Sequence, residues 1–361
     1  MLRRRRNRLL LIGGFIVVGL VAIGIGLAMQ SEREAQALTP MDIEWADGFA
    51  YASVAEGSIL RLTVTGDEVG VETLASGLSY PRGIALSGST LYVAELGELP
   101  CEDPIPRCKG EQVGPTAADG ERTLLAGSAG RILAFPVTAE GLGEPSVLVD
   151  DLHFVNSDHG LNDLDLGGDG RLYLAVGNLD RLGWEEGVDV PTGPETELIG
   201  SILRIDPSSG AVEPFATGIR NVFGLDFDDG SLWGVDNDGP GRGPWRFEEL
   251  LRFQAGLDYG YPEDGTVGPY TRRTGFAEWL MPTGAGSSGL LVRGDVVLSG
   301  GCGTVTRVNL VSDTGDAVVR SRDYAGCLTA IEPMPDGRLL LATVLGPEAF
   351  RVTTEAELMG D

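Results

Sequence analysis

From about residue 41 onward, apolar and polar positions alternate in short runs that return six times as one unit. Each unit opens with a hydrophobic strand, a turn of Asp-Gly type and a second strand ending in small residues. The instances are WADGFAYASV, GIALSGSTLYVAEL, DLDLGGDGRLYLAVGN, GLDFDDGSLWGVDND, GLLVRGDVVLSGG and IEPMPDGRLLLATV. Asp-Gly and similar pairs between alternating apolar runs signal β-hairpins. A third strand follows each: GSILRLTV, GRILAFPV, GSILRIDP, EELLRFQA, TVTRVNLV and EAFRVTTE. Several lead on to a fourth, such as VETLA, PSVLV or VEPFA. Four short antiparallel strands repeated six times predict an all-β fold, a six-bladed β-propeller over residues 41–361. A β-sandwich would leave the six recurrences unexplained. No helix-period segment appears after residue 40. The last unit lacks an obvious fourth strand, and residues near MDIEW (41–45) are expected to supply it.

The first forty residues follow another pattern. Residues 9–29 are 21 consecutive uncharged, mostly apolar positions, and Arg3, Arg4, Arg5, Arg6 and Arg8 precede them. A helix rising ~1.5 Å per residue over that length matches a hydrocarbon core of ~30 Å. The reading is a cytoplasmic basic segment (1–8), a transmembrane signal-anchor helix (9–29) and a linker (30–40). The arginines keep the N-terminus cytoplasmic and place the propeller outside, in the cell envelope. A cleaved signal peptide is the competing reading, with AQA at 35–37 as its cleavage tripeptide. Its apolar run is usually ~7–15 residues, and AQA lies well past the run.

Export changes the picture of the four cysteines, since disulfides persist outside the cytoplasm and an even count suggests pairing. Cys101 and Cys108 flank EDPIPR, where two prolines favour a local bend and a loop-stapling disulfide. By elimination Cys302 pairs with Cys327. Residues 1–37 hold six arginines and two glutamates, so the rest carries 21 basic against 51 acidic groups, a balance of −30. Such a surface excludes nucleic acid and repels anionic headgroups. A small-molecule ligand is the expected partner.

In a propeller the innermost strands surround the axis and the loops at one rim build the site. Three segments qualify. In NSDHGLNDLDLG, His159 stands just before an inner strand, as a general base or as a structural histidine bonded to a loop carbonyl. In GIRNVFGLDFD, Arg220 and Asn221 reach the same rim, to hold an anion or to form a salt bridge. In VDNDGPGRGPWRF, Asp236, Asn237 and Asp238 with the following Gly-Pro carbonyls offer hard oxygens suited to Ca²⁺, or simply Asx turns.

Taken in order, these segments resemble the soluble quinoprotein glucose and sorbosone dehydrogenase family, as do GSILRIDP, the DGP tripeptide and GLDYGYPED. The resemblance runs from about residue 45 to 355 and is strongest over 155–262. It implies a six-bladed propeller that oxidises aldoses with pyrroloquinoline quinone (PQQ) and Ca²⁺. On that likeness His159 matches the base that takes the sugar's anomeric proton, with hydride passing to the quinone. Arg220 and Asn221 match the pair that contacts PQQ, beside Asp238, with Arg220 polarising the quinone oxygen as the second catalytic residue, and Gly239 and Pro240 match the carbonyls that hold Ca²⁺.

The sequence also departs from the family. Leu161 and Asn162 replace the glycine pair expected after the histidine, and Leu251 replaces an asparagine. Cys302 stands at the lysine, and Cys327 and Thr329 at the two arginines, with which the family grips the three PQQ carboxylates. Each lost charge-assisted hydrogen bond is worth ~1.5–3 kcal/mol. Three functions follow as expectations. One is a membrane-anchored PQQ sugar dehydrogenase with an altered clamp. Another is a non-catalytic envelope propeller with a Cys302–Cys327 disulfide at the former cofactor site. The last is a Ca²⁺-dependent lactonase or esterase using Asp163, Asn221 and Asp238.

Overall fold

In five of the six units the second strand is apolar at nearly every position, as in LYVAE, LYLAV and LLLATV, because a neighbouring sheet covers each of its faces. The computed structural model describes residues 38–97, 130–154, 159–178, 198–237, 247–260, 277–282, 287–310 and 317–361. The segments 1–37 and 98–129, with the apolar run 9–29 and with Cys101 and Cys108, lie outside the described residues. Among the described residues no helix is long and apolar enough to cross a membrane.

The described strands form five hydrogen-bonded sheets. The first joins β1 (Pro40–Ala46), β2 (Phe49–Val54), β3 (Ser58–Thr65) and β4 (Glu68–Ser76). The second joins β5 (Pro81–Ser87), β6 (Thr90–Glu95) and β7 (Gly130–Thr138), with β8 (Gly141–Leu142) and β9 (Ser146–Leu152) both pairing β7. The third holds β10 (Leu161–Leu166), β11 (Leu172–Val176), β12 (Ser201–Ile205) and β13 (Val212–Thr217). The fourth holds β14 (Val222–Asp228), β15 (Ser231–Asp236) and β16 (Phe247–Phe253). The two-residue β17 (Leu257–Asp258) returns to β13 as a parallel partner, and β18 (Ala277–Pro282) completes the fourth sheet. Every other pairing is antiparallel. The fifth sheet runs β19 (Gly289–Arg293), β20 (Val296–Gly300), β21 (Cys302–Leu310), β22 (Ala317–Pro333), β23 (Leu339–Val344) and β24 (Phe350–Thr353).

The fifth and sixth sequence units thus share one sheet. The 17-residue β22 is the reason: its first part pairs with β21 and its last part with β23, and Cys327 is opposite both Cys302 and Val344. The inner strands still close a ring, each touching the next in the order β1, β5, β10, β14, β19, β22 and back to β1. Apolar layers fill the gaps between sheets. Tyr51 and Ile59 pack on Ile84 and Leu91, and Tyr173 and Ile202 pack on Val222 and Leu232. Leu298 and Val305 pack on Leu328 and Leu341 within the fifth sheet itself.

Two expectations are corrected. MDIEW does not complete the last unit; it lies in β1, paired with β2 across the Asp47–Gly48 turn. A hairpin that closes over two residues costs far less chain entropy than pairing with a strand some 300 residues away. The last unit ends instead in a one-turn helix, α1 (Glu355–Met359), with a capping box between Thr354 and Glu357. The T-x-x-E spelling was its only sequence signal, because five residues are too few to show a period.

Candidate functional site

The ring turns one edge of each inner strand toward the axis, where backbone N–H groups need acceptors. Carboxylates on the preceding inner strand supply them. Asp42 on β1 accepts from Ile84 N (2.8 Å), and Asp163 on β10 accepts from Leu225 N (2.6 Å). Asp226 on β14 accepts from Val292 N (2.5 Å), and Glu332 on β22 accepts from Trp45 N (3.1 Å). These groups, with Glu44, Asp165 and Arg293, line an axial cavity of about 200 Å³ that all six inner strands border. Burial is the main cause that raises every one of these carboxyl pKa values. Asp163 rises to about 6, Asp165 and Asp226 to about 7, and Glu332 to about 8. Asp42 and Glu44 also lie well above the usual carboxylate range, through burial and then through Asp163 and Glu332 respectively.

A second cluster gathers at the rim where the inner strands begin. His159 is 2 % exposed, and its Nδ1 lies 2.9 Å from the carbonyl oxygen of Asn178. A carbonyl only accepts, so Nδ1 carries a proton, and Nε2 is the nitrogen left to accept one. That Nε2 faces Arg220 Nη2 at 3.5 Å. Arg220, 5 % exposed, donates from Nη1 to Asn237 O at 2.5 Å. Asp236 accepts from the backbone N–H of Arg220 (2.9 Å) and of Asn221 (2.6 Å), fixing the turn that presents both residues. Its oxygens thus accept from two successive backbone N–H groups. Asn237 Nδ2 donates to Ser287 O (2.8 Å), and Ser287 donates to Glu248 from both its backbone and its hydroxyl.

The structure therefore brings His159, Arg220 and Asn221 together. Asp163 points instead into the axial cavity, committed to Leu225 N. Asp238, Gly239 and Pro240 lie outside the described residues. Among the described residues no three His, Cys, Asp or Glu side chains come together as metal ligands. Gly177, Asn178, Ser287 and Glu248 were not picked out from the sequence. Neither was Arg82, a buried guanidinium 5.2 Å from the Tyr80 ring and 5.3 Å from the Phe223 ring. The small residues closing AVGN were the available sign for Gly177; the others carry no local pattern.

Whether these residues fit PQQ can be judged from their bonds. Asn162, where the resemblance calls for glycine, donates from Nδ2 to Asn221 Oδ1 (2.8 Å) and to Val222 O (2.9 Å). It thereby engages the side chain that the resemblance assigns to PQQ contact. Cys302 and Cys327 are joined in a disulfide, and Thr329 donates its hydroxyl to Pro40 O at 2.9 Å. Leu251 is buried in the apolar layer between the third and fourth sheets. None of the three clamp positions offers a cation, and the axis beneath carries carboxylates. The described residues do not fit a tricarboxylate quinone.

The sequence matches no family profile and no curated protein. Solved structures do match. A glucose dehydrogenase-type oxidoreductase of Thermus thermophilus is 20% identical, with 87% of this chain and 95% of that one covered and a TM-score of 0.61. The PQQ-bound aldose sugar dehydrogenase of Streptomyces coelicolor is 20% identical over 87% and 93%, with a TM-score of 0.60. A calcium structure of a Trichoderma reesei carbohydrate-active enzyme of family AA12 is 14% identical over 88% and 93%, with a TM-score of 0.61. The protein is an all-β propeller of antiparallel sheets, with the chain arrangement of these neighbours. At such identities the likeness is one of fold.

Proposed function

We propose that this chain is a six-bladed, envelope-exposed propeller, tethered by residues 9–29, that binds a small sugar-like ligand at the His159–Arg220 rim without PQQ. The reading rests on one observation: a closed Cys302–Cys327 disulfide stands where the resemblance puts part of the cofactor's anion clamp. Isothermal calorimetry of the purified chain with PQQ and Ca²⁺ tests it. No binding is expected at micromolar PQQ. Micromolar binding accompanied by aldose-dependent dye reduction would restore the dehydrogenase reading.

That second reading has an observation of its own. The Asn178 carbonyl holds His159 in the tautomer whose Nε2 accepts a proton, next to a guanidinium that stabilises negative charge. This chain's residues would hold the sugar hydroxyl's proton on His159 Nε2 and steady the resulting oxyanion through Arg220.

A further inference from the structure

We propose that the Cys302–Cys327 disulfide is a redox latch on the rim site, controlling the position of Arg220 through the residues that lead into β19. The inference rests on the reading of the His159–Arg220 rim as the ligand site. The latch sits at the point where β22 leaves β21 and joins β23. Gly303 (φ +83°) follows Cys302, and Gly326 (φ +106°) precedes Cys327, so both strands bend where they are tied. Gly326 is also confined: a Cβ there would lie 2.7 Å from the Cα of Gly346.

Leu328, the next residue, transmits the constraint. It is fully buried, donates from its backbone N–H to Gly301 O (3.2 Å) and accepts from the Ser288 hydroxyl (3.0 Å). Its side chain packs so closely on Gly300 that a Cβ added there would meet it at 2.3 Å. Ser288 is bonded in turn to Gly300 O (2.8 Å). Its neighbour Ser287 accepts from Asn237 Nδ2, and the Asn237 carbonyl accepts from Arg220, which faces His159. A continuous run of hydrogen bonds and close packing thus joins the disulfide to the candidate base. Two packed arrangements of such a run are the physical means by which one site biases another.

The chemistry is accessible from one side. Cys302 is exposed whereas Cys327 is nearly covered. The thiolate of a dithiol reductant attacks Cys302 Sγ, forms a mixed disulfide and expels Cys327 as a thiolate, which takes up a proton. The second thiol of the reagent then closes its own disulfide and releases Cys302 as a thiol. Two electrons and two protons pass from the dithiol to the protein. With the latch open, Leu328 loses its fixed neighbour and the Ser288 contact loosens.

Hydrogen exchange on the ligand-free chain tests this, so the result does not depend on whether PQQ or a sugar binds. The chain is compared oxidised, reduced with dithiothreitol, and as the Cys302→Ser/Cys327→Ser double variant. Amides in 287–292 and 219–237 are expected to exchange at least about fivefold faster in both unlatched forms, while 84–95 in the opposite part of the ring stays unchanged. Faster exchange confined to 302–306 and 323–333, or spread evenly over every sheet, overturns the proposal, as does no change.

Discussion

A methyl group at position 177 would lie 2.6 Å from the Cα of His159 and 2.7 Å from Asn221 Oδ1, closer than packed atoms approach. Two of its three nearest atoms belong to the His159 backbone, so the clash cannot be relieved by turning a side chain. Glycine here lets the end of β11 pass between the histidine and the asparagine. Gly177→Ala is expected to destabilise the chain by about 2 kcal/mol, the range for overpacking a filled interior, measured as a lowered urea midpoint at unchanged slope. An unchanged midpoint would mean that the rim is looser than its bonds indicate. Asn162 teaches a related lesson. Its presence in place of glycine was plain in the sequence, but its two bonds to Asn221 and Val222 were not. Those bonds cross from β10 to β14, and nothing local in HGLNDL encodes a partner 59 residues away.

Most strands were legible because hairpins are local: an alternating run, a tight turn and a second run determine one another within a dozen residues. The carboxylates between blades were not legible, since an Asp in an inner strand looks like any solvated residue until the next strand is laid beside it. Asp226 and Val292 illustrate the point, being 66 residues apart and joined by one short bond. Replacing that carboxylate with an apolar side chain leaves a buried N–H unsatisfied. Asp226→Leu is therefore expected to cost about 1–3 kcal/mol by urea denaturation. Asp226→Asn, which keeps an acceptor and carries no charge, is expected to cost less than half of that. Equal losses in the two variants would assign the role of Asp226 to its charge, through Arg293, rather than to the bond.

At the scale of the molecule, the axis holds protons that the unfolded chain gives up. Asp163, Asp165, Asp226 and Glu332 have folded pKa values of about 6, 7, 7 and 8, above ordinary carboxylates. Between pH ~4 and ~8 the native state binds more protons than the unfolded state, so stability falls as pH rises across that window and levels off above it. Among the described residues Arg293 is the cation lining this cavity, and it opposes the effect only in part. Calorimetry at constant ionic strength should give a Tm at pH 5.5 at least about 5 °C higher than at pH 8. A flat or rising profile would show that the axial carboxylates are ionised and hydrated. The start of β1 has another consequence. Thr329 holds Pro40 O at the rim end of the ring, the end where His159 and Arg220 stand, so the chain enters the propeller beside its own candidate site. With residues 9–29 in a bilayer as proposed, the ten residues before β1 span at most ~35 Å, which keeps the start of β1 within that reach of the lipid surface. A strongly acidic propeller so close to a membrane would favour neutral, surface-associated ligands over soluble anions.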